Sequence, residues 1–304
     1  MRTILLVGYG SIGQRYARLL TNLGHQVVLL RIKGCGNELG LKEISNWDQV
    51  IAINPEIAFV TNPTNLHIDV VERCMDCGIR SIFLEKPIDM SLKGMDRLLV
   101  RITELKATVY VAYVLRFHPV LNALRQLLVE KKLKKLYHVR ITNSSYLPDW
   151  RPGKGAKETY SAYAEQGGGV ILDCSHEFDY IEYLFGPFEC LYHRYGRRSA
   201  ITVDSEDYVE ASLMSRELPI SLFISYFGKI PERNIVIECE KGTLQANLLN
   251  STISLNGHIE AFLADRDGWY QTQLQYFFSN FENPHLMNNL FEASELFKKI
   301  VALK

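Results

Sequence analysis

Apolar residues recur along this chain in two rhythms, and the switch between them divides it. Up to about residue 115, short β-branched runs alternate with stretches whose apolar positions fall three or four apart. The runs predict strands near Thr3–Val7, Gln26–Leu30, Ile57–Thr61, Ser81–Leu84 and Thr108–Ala112. The periodic stretches predict helices over Ser11–Asn22, Leu66–Cys77 and Ser91–Leu105. Such alternation signals a parallel sheet wrapped by helices. The stretch from Gly34 to Gly40 is glycine-rich and too short for a full crossover helix, so the doubly wound pattern is abbreviated there.

From about Leu136 the runs lengthen and alternate, which is the period of half-buried strands. Strands are expected over Tyr137–Ser144, Asp207–Met214, Ile220–Phe227 and Asn234–Glu240, with Lys241-Gly242 and Asn256-Gly257 as turns. This second, mainly antiparallel sheet is interrupted by a helix at Gly169–Phe185 and closed by helices near Tyr270–Phe281 and Asn288–Leu303. No repeat, low-complexity tract or flexible linker separates the halves, so they are expected to share helices and pack tightly. The division predicted is residues 1–115 and 116–304.

Zero formal net charge, from 34 basic and 34 acidic residues, argues against a nucleic-acid or membrane surface as the main partner. No apolar run reaches the ~20 residues of a membrane helix, and the N-terminal strand lacks a signal-peptide cleavage site. A cytoplasmic protein is expected. The 6 cysteines are scattered. Cys74 and Cys77 have redox or zinc spacing, but no second pair is nearby in sequence, so they are read as reduced thiols and no metal is predicted.

The strand Thr3–Val7 runs into Gly8-Tyr-Gly10-Ser11-Ile12-Gly13. Between a strand and a helix, this spacing is a dinucleotide-binding fingerprint. Gly8 permits the tight turn, Gly10 lets a pyrophosphate approach the backbone, and Gly13 lets helix and strand pack closely. The first half is therefore expected to be a Rossmann domain. At the end of the second strand, an acidic residue would bind a ribose 2′-hydroxyl, whereas an Arg would accommodate a 2′-phosphate. Here stand Arg31 and Lys33, with no carboxylate at the strand tip, so NADP(H) is favoured over NAD(H). Thr61 ends the third predicted strand, and Asn62 and Pro63 continue the cofactor rim, with His67 opening the next helix.

Glu85-Lys86-Pro87 sits at the tip of the fourth predicted strand, where open α/β sheets bind their ligands. Downstream, Asp173, His176 and Tyr180 would share one face of a helix. A His one turn after an Asp, with a Lys-bearing loop elsewhere, is an acid/base candidate.

Together, GYGSIG, TNPTNLH, EKP, Val114-Leu-Arg116-Phe-His118-Pro and GGGVILDCSHEFD resemble the glucose–fructose oxidoreductase / inositol dehydrogenase (Gfo/Idh/MocA) family along essentially the whole chain. The resemblance implies a Rossmann domain followed by an α/β domain whose open sheet often forms the oligomer interface, hence a homo-oligomer. It implies NAD(P)-dependent oxidation or reduction of sugars, cyclitols or nucleotide sugars. Lys86 matches the catalytic Lys and His176 the acid/base His; Glu85 belongs to the same cofactor-side motif. The family's Asp lies four residues before that His, whereas Asp173, the third catalytic candidate, lies three before His176, so its match is displaced by one residue.

Trp150 and Arg151, with Tyr163 beyond them, form an aromatic and basic loop suited to a sugar face and an anionic group. Arg116 and His118 are further candidate substrate contacts. The loop resembles a subgroup encoded with surface-polysaccharide and nonulosonate genes, implying an activated or acidic sugar. The expected reaction is hydride transfer at a sugar carbinol carbon, with His176 moving the proton and Lys86 polarising the oxygen. Two alternatives remain: a redox-neutral enzyme that recycles its cofactor during glycoside cleavage, and a non-catalytic NADP-binding regulator.

Overall fold

The computed structural model describes residues 1–31, 36–151, 153, 159–263 and 265–304. They form two compact units, Met1–Tyr113 with Leu274–Val301, and Val114–Gln273 with Ala302–Lys304. The first unit begins β1 (Thr3–Val7), α1 (Ser11–Asn22), β2 (Gln26–Leu30), β3 (Lys42–Ile44), α2 (Trp47–Ile53), β4 (Ile57–Val60), α3 (His67–Asp76), β5 (Ser81–Glu85), α4 (Met95–Leu105) and β6 (Thr108–Ala112). The strands pair in parallel in the order β3-β2-β1-β4-β5-β6. β1, β4 and β5 are almost wholly buried, as expected of strands covered on both faces. The expected abbreviation after β2 takes the form of the short edge strand β3. The helix α2 follows it, capped by the Asn46 side chain accepting from the Gln49 N–H.

The second unit contains α5 (Pro119–Val129), β7 (Leu136–Tyr146), α6 (Val170–Asp173), α7 (Ser175–Phe185), β8 (Glu189–Gly196), β9 (Tyr208–Ser215), β10 (Leu218–Ser225), β11 (Phe227–Cys239), β12 (Gly242–Asn247), β13 (Thr252–Leu255) and β14 (His258–Ala261). Its sheet has the order β14-β13-β12-β11-β7-β10-β9-β8. All pairings are antiparallel except β7 with β10. One helix was expected over Gly169–Phe185, but the backbone breaks at Cys174 (φ −99°, ψ 29°), leaving α6 and α7. Asp173 therefore closes one short helix while His176 opens the next.

The boundary expected at 115/116 assigned everything after it to one domain, whereas residues 274–301 belong to the first unit. This stretch ends α8 (Arg266–Asn280) and includes α9 (Leu290–Val301). Aromatic burial accounts for the assignment. Phe277 is fully buried and meets Phe59, Phe83 and Tyr110 at ring-centroid distances of 5.8, 5.2 and 5.8 Å. Asn288 then exchanges hydrogen bonds with both backbone groups of Val111 in β6.

The pattern Pro119-Val-Leu121 marks the start of α5, which the apolar rhythm left unassigned. His118 is its N-cap, with Nδ1 accepting from the Val120 N–H at 3.2 Å, and its ring meets Trp269 at 4.2 Å. Burial, opposed by the Leu248 backbone and reinforced by the Arg233 guanidinium, pushes His118 down to about 4. Protonation would also destroy the acceptor that makes the cap. The folded state thus keeps His118 neutral while the unfolded chain takes up a proton below about pH 6.5. Stability from this site is complete above that pH and is lost as pH falls towards 4, amounting to at most about 3 kcal/mol. His118→Asn keeps a capping oxygen without the titration. Denaturant unfolding at pH 7 and 4.5 should show the wild type losing stability relative to that variant; parallel losses would exclude His118 as the cause.

Candidate active site

β1 delivers the chain to Gly8, whose φ of +92° an L side chain rarely adopts. A Cβ there would lie 2.6 Å from the Asn62 nitrogen, and one on Gly13 would lie 2.4 Å from the Gly8 oxygen. The backbones meet because the Thr61 hydroxyl, just past β4, hydrogen-bonds the carbonyls of Val7 (3.1 Å) and Gly8 (2.9 Å). Gly10 differs, with open space where its Cβ would stand. It caps α1 without a side-chain bond, and the first turn carries no acidic residue. The N–H groups of Ser11, Ile12 and Gly13 thus lie at an uncapped, positively polarised helix end. This cradle fits a pyrophosphate.

Beside it, Tyr9, Ser11, Gln14, Arg15, Arg31 and Glu38 line a cleft of ≈ 770 Å³. Arg31 lies 5.2 Å from the Tyr9 ring centroid, its Nη1 3.1 Å from the Gly36 carbonyl and 3.3 Å from Glu43 Oε1. The strand tip carries no carboxylate, as the sequence reads, but β3 brings one to Arg31. Lys33 lies outside the described residues.

The next loops are joined from within. His67 is 1 % exposed, with Nδ1 2.8 Å from the Pro87 carbonyl and Nε2 2.9 Å from that of Asn62. Expected at the cofactor, His67 instead ties the Asn62-Pro63 turn to the Lys86-Pro87 turn, whose peptide bond is cis. Burial lowers the pKa of its imidazole, opposed by these carbonyls. Pro63 is exposed on the rim. Glu85 is buried, accepting from the Tyr16 hydroxyl at 2.8 Å and from the Lys86 N–H at 3.1 Å. Burial raises its pKa against those hydrogen bonds. Lys86 leaves the tip of β5 half-buried.

In the second unit, every residue from Gly167 to Ile181 is buried except His176. The broken helix thus presents one imidazole at the edge of an otherwise closed segment. Asp173 accepts from the Tyr226 hydroxyl at 2.6 Å and from Tyr160. The Asp173 carboxylate foremost raises the pKa of the partly exposed Tyr160 well above the ordinary tyrosine value; burial foremost does the same for Tyr226. Trp150 meets Tyr226 edge-on at 5.2 Å, and the Arg151 guanidinium lies over the Tyr160 ring at 5.6 Å. Trp150 and Arg151 therefore join Asp173 in one cluster through two tyrosines: Tyr160, from the same aromatic stretch, and Tyr226, which the sequence does not single out. Tyr163 is half-buried nearby in the chain, after the short Tyr160–Ala162 turn.

Arg116 and His118 are placed differently from the substrate contacts expected. Arg116 is 4 % exposed and is held by Asp179 through hydrogen bonds of 2.8 and 3.1 Å. His118 is fully buried as the α5 cap. Both spend their polar atoms inside the unit. Glu177, also fully buried, pairs with Arg233 at 2.7 Å. Acidic residues at such positions on α7 hint at buried partners, but the sequence does not name the arginines. Among the described residues, no group of three or more His, Cys, Asp or Glu could hold a metal.

Residues 2–113 match the model of an oxidoreductase family with an NAD-binding Rossmann fold, and residues 121–245 match the GFO/IDH/MocA C-terminal domain. A scyllo-inositol 2-dehydrogenase (NAD(+)) of Bacillus subtilis is 25% identical over 193 residues, covering 60% of this chain and 53% of that protein. The chain thus spans about half the length of that curated relative. The fold resembles that of an Agrobacterium radiobacter oxidoreductase solved with NAD+, L-tartaric acid and magnesium (TM-score 0.84, 14% identity, 98% of this chain and 94% of that one). It also resembles the WlbA dehydrogenase of Bordetella pertussis, solved with NADH and UDP-GlcNAcA (TM-score 0.80, 18% identity, 99% and 96% coverage).

The glycines should separate stability from binding. Gly13→Ala should lower unfolding stability by about 1–3 kcal/mol, because its Cβ meets backbone. Gly10→Ala should keep the wild-type melting temperature yet weaken dinucleotide binding at least about tenfold, or 1.4 kcal/mol. Calorimetric melting and NAD(P)H fluorescence titration would check both. Undiminished binding by Gly10→Ala would remove the pyrophosphate from this turn.

Proposed function

Since the chain belongs to the GFO/IDH/MocA oxidoreductase family, we propose that it exchanges a hydride between a nicotinamide dinucleotide and a carbinol or keto carbon of a sugar. The observation that carries this reading is the single imidazole, His176, left accessible in a buried segment beside the Asp173–Tyr226 pair. When bound, the nicotinamide ring supplies the hydride acceptor or donor. His176 takes the hydroxyl proton during oxidation and returns it during reduction. Lys86, at the end of β5, orients and polarises the reacting oxygen. Asp173, already engaged by two tyrosine hydroxyls, fixes the local geometry and acts on the substrate indirectly.

The favoured substrate is an activated or acidic sugar of surface-polysaccharide biosynthesis. Trp150 and Arg151 support this, because a ring face and a guanidinium suit a sugar carrying an anionic group. NADP(H) is the favoured cofactor, with Arg31 facing the 2′-phosphate. The enzyme works in the cytoplasm as a homo-oligomer through the sheet of the second unit. Leu191 and Tyr192 on edge strand β8 and Ile259 on β14, all exposed, support that interface. No described helix is long and apolar enough to cross a membrane.

Lys86→Ala and His176→Ala should each lose turnover by roughly 10²–10⁴-fold while retaining the wild-type melting temperature and NADPH affinity. Asp173→Asn should do less damage. Steady-state rates on a panel of nucleotide sugars with NADPH, paired with cofactor titrations, test this reading. Full turnover by either alanine variant would refute its assigned role. Arg151→Ala should raise KM for an anionic sugar without changing NADPH affinity, and an unaltered KM would remove Arg151 from the substrate site.

A further inference from the structure

The cation expected to recognise a 2′-phosphate already has a carboxylate partner. Arg31 leaves β2, and its backbone N–H donates to the Ile44 carbonyl at 2.9 Å, aligning it with edge strand β3. In that register Leu29 pairs with Glu43 and Leu30 with Ile44. Arg31 Nη1 stands 3.3 Å from Glu43 Oε1, and that same oxygen accepts from Asn37 Nδ2 at 2.9 Å. Asn37 is itself fixed to Leu41 by bonds of 2.9 and 2.8 Å, using its side chain at both ends. Both members of the ion pair are largely shielded, at 20 % and 18 % side-chain exposure. The carboxylate is therefore held by a structured loop, and Arg31 borders the same cleft as Ser11 of the glycine turn.

We propose that Glu43 sets the margin between NADP(H) and NAD(H), by competing with a 2′-phosphate for Arg31 and offering its other oxygen to a 2′-hydroxyl. The proposal rests on the dinucleotide reading of the glycine turn. A phosphate approaching Arg31 meets the negative charge of Glu43 and must share or displace its contact with the guanidinium. A ribose hydroxyl pays no such repulsion. It can donate to Glu43 Oε2, which neither Arg31 nor Asn37 uses. The discriminating carboxylate thus comes from β3, and the sequence around the β2 tip does not announce it.

Glu43→Gln keeps an oxygen for Asn37 and removes the charge. Dissociation constants for NADPH and NADH, and for adenosine 2′,5′-bisphosphate and 5′-AMP as probes without a nicotinamide, should be measured by calorimetry for four proteins. These are the wild type, Glu43→Gln, Arg31→Ala and the double variant. Glu43→Gln should widen the preference for the 2′-phosphorylated member of each pair at least about tenfold. In the Arg31→Ala background the same change should move the ratio clearly less than in the wild type, leaving only the part due to the Glu43 charge itself and its bond to the 2′-hydroxyl. An unchanged ratio in Glu43→Gln, or an equal shift with Arg31 absent, would overturn the competition. Failure of the wild type to bind any of the four ligands would instead overturn the dinucleotide reading itself.

Discussion

The hydrogen bond from Tyr16 to Glu85 joins the core of the first unit to its chemistry. Tyr16 projects from α1 into a buried aromatic layer, with its ring 5.6 Å from Phe59 and 5.0 Å from Phe83. Its hydroxyl reaches the carboxylate that also accepts the N–H of Lys86. A buried carboxylate without such donors would face a large desolvation penalty. The glycine turn sets where Tyr16 stands, because α1 approaches β1 only where Gly13 has no Cβ. Helix approach, carboxylate satisfaction and the lysine's exit angle are thus one constraint expressed three times.

The second unit solves a related problem with full charges. Asp179 and Glu177 on α7 are both fully buried, and they meet Arg116 and Arg233 from other elements. Removing one partner of such a pair is costly, since it strands a charge away from water. The arginines therefore restrict how α7 can sit on its sheet. His176, between those carboxylates and the helix break, inherits that restriction. Its half-exposed position follows from neighbours that cannot leave.

How much of this the sequence revealed depends on how far apart the cooperating residues lie along the chain. The glycine turn and Glu85-Lys86-Pro87 are legible because strand, turn and chemistry are contiguous. β1, β2 and β6 appear at the residues read from apolar runs alone. Glu43 escaped because its strand has only 3 residues, too few for any periodicity. Tyr226 escaped because tyrosines are common in sheets, and only the fold puts it, with Tyr160, on Asp173. Arg116 misled for the converse reason. A cation near an aromatic, proline-containing motif reads as a ligand contact, while its partner Asp179 stands 63 positions away.

The late arrival of Phe277 and Asn288 in the first unit has a consequence for how the chain is made. A ribosome releases Met1–Tyr113 early, yet the aromatic ring that fills the layer above Phe59 and Phe83 emerges only after the whole of Val114–Gln273. Domains otherwise tend to fold in the order of synthesis. Here the second unit is made first save for Ala302–Lys304, and the nucleotide fold waits for its last two helices with part of its apolar surface uncovered. A nascent chain stalled before Leu274 would carry the glycine turn and Lys86 without the aromatic residues that close the layer beneath them.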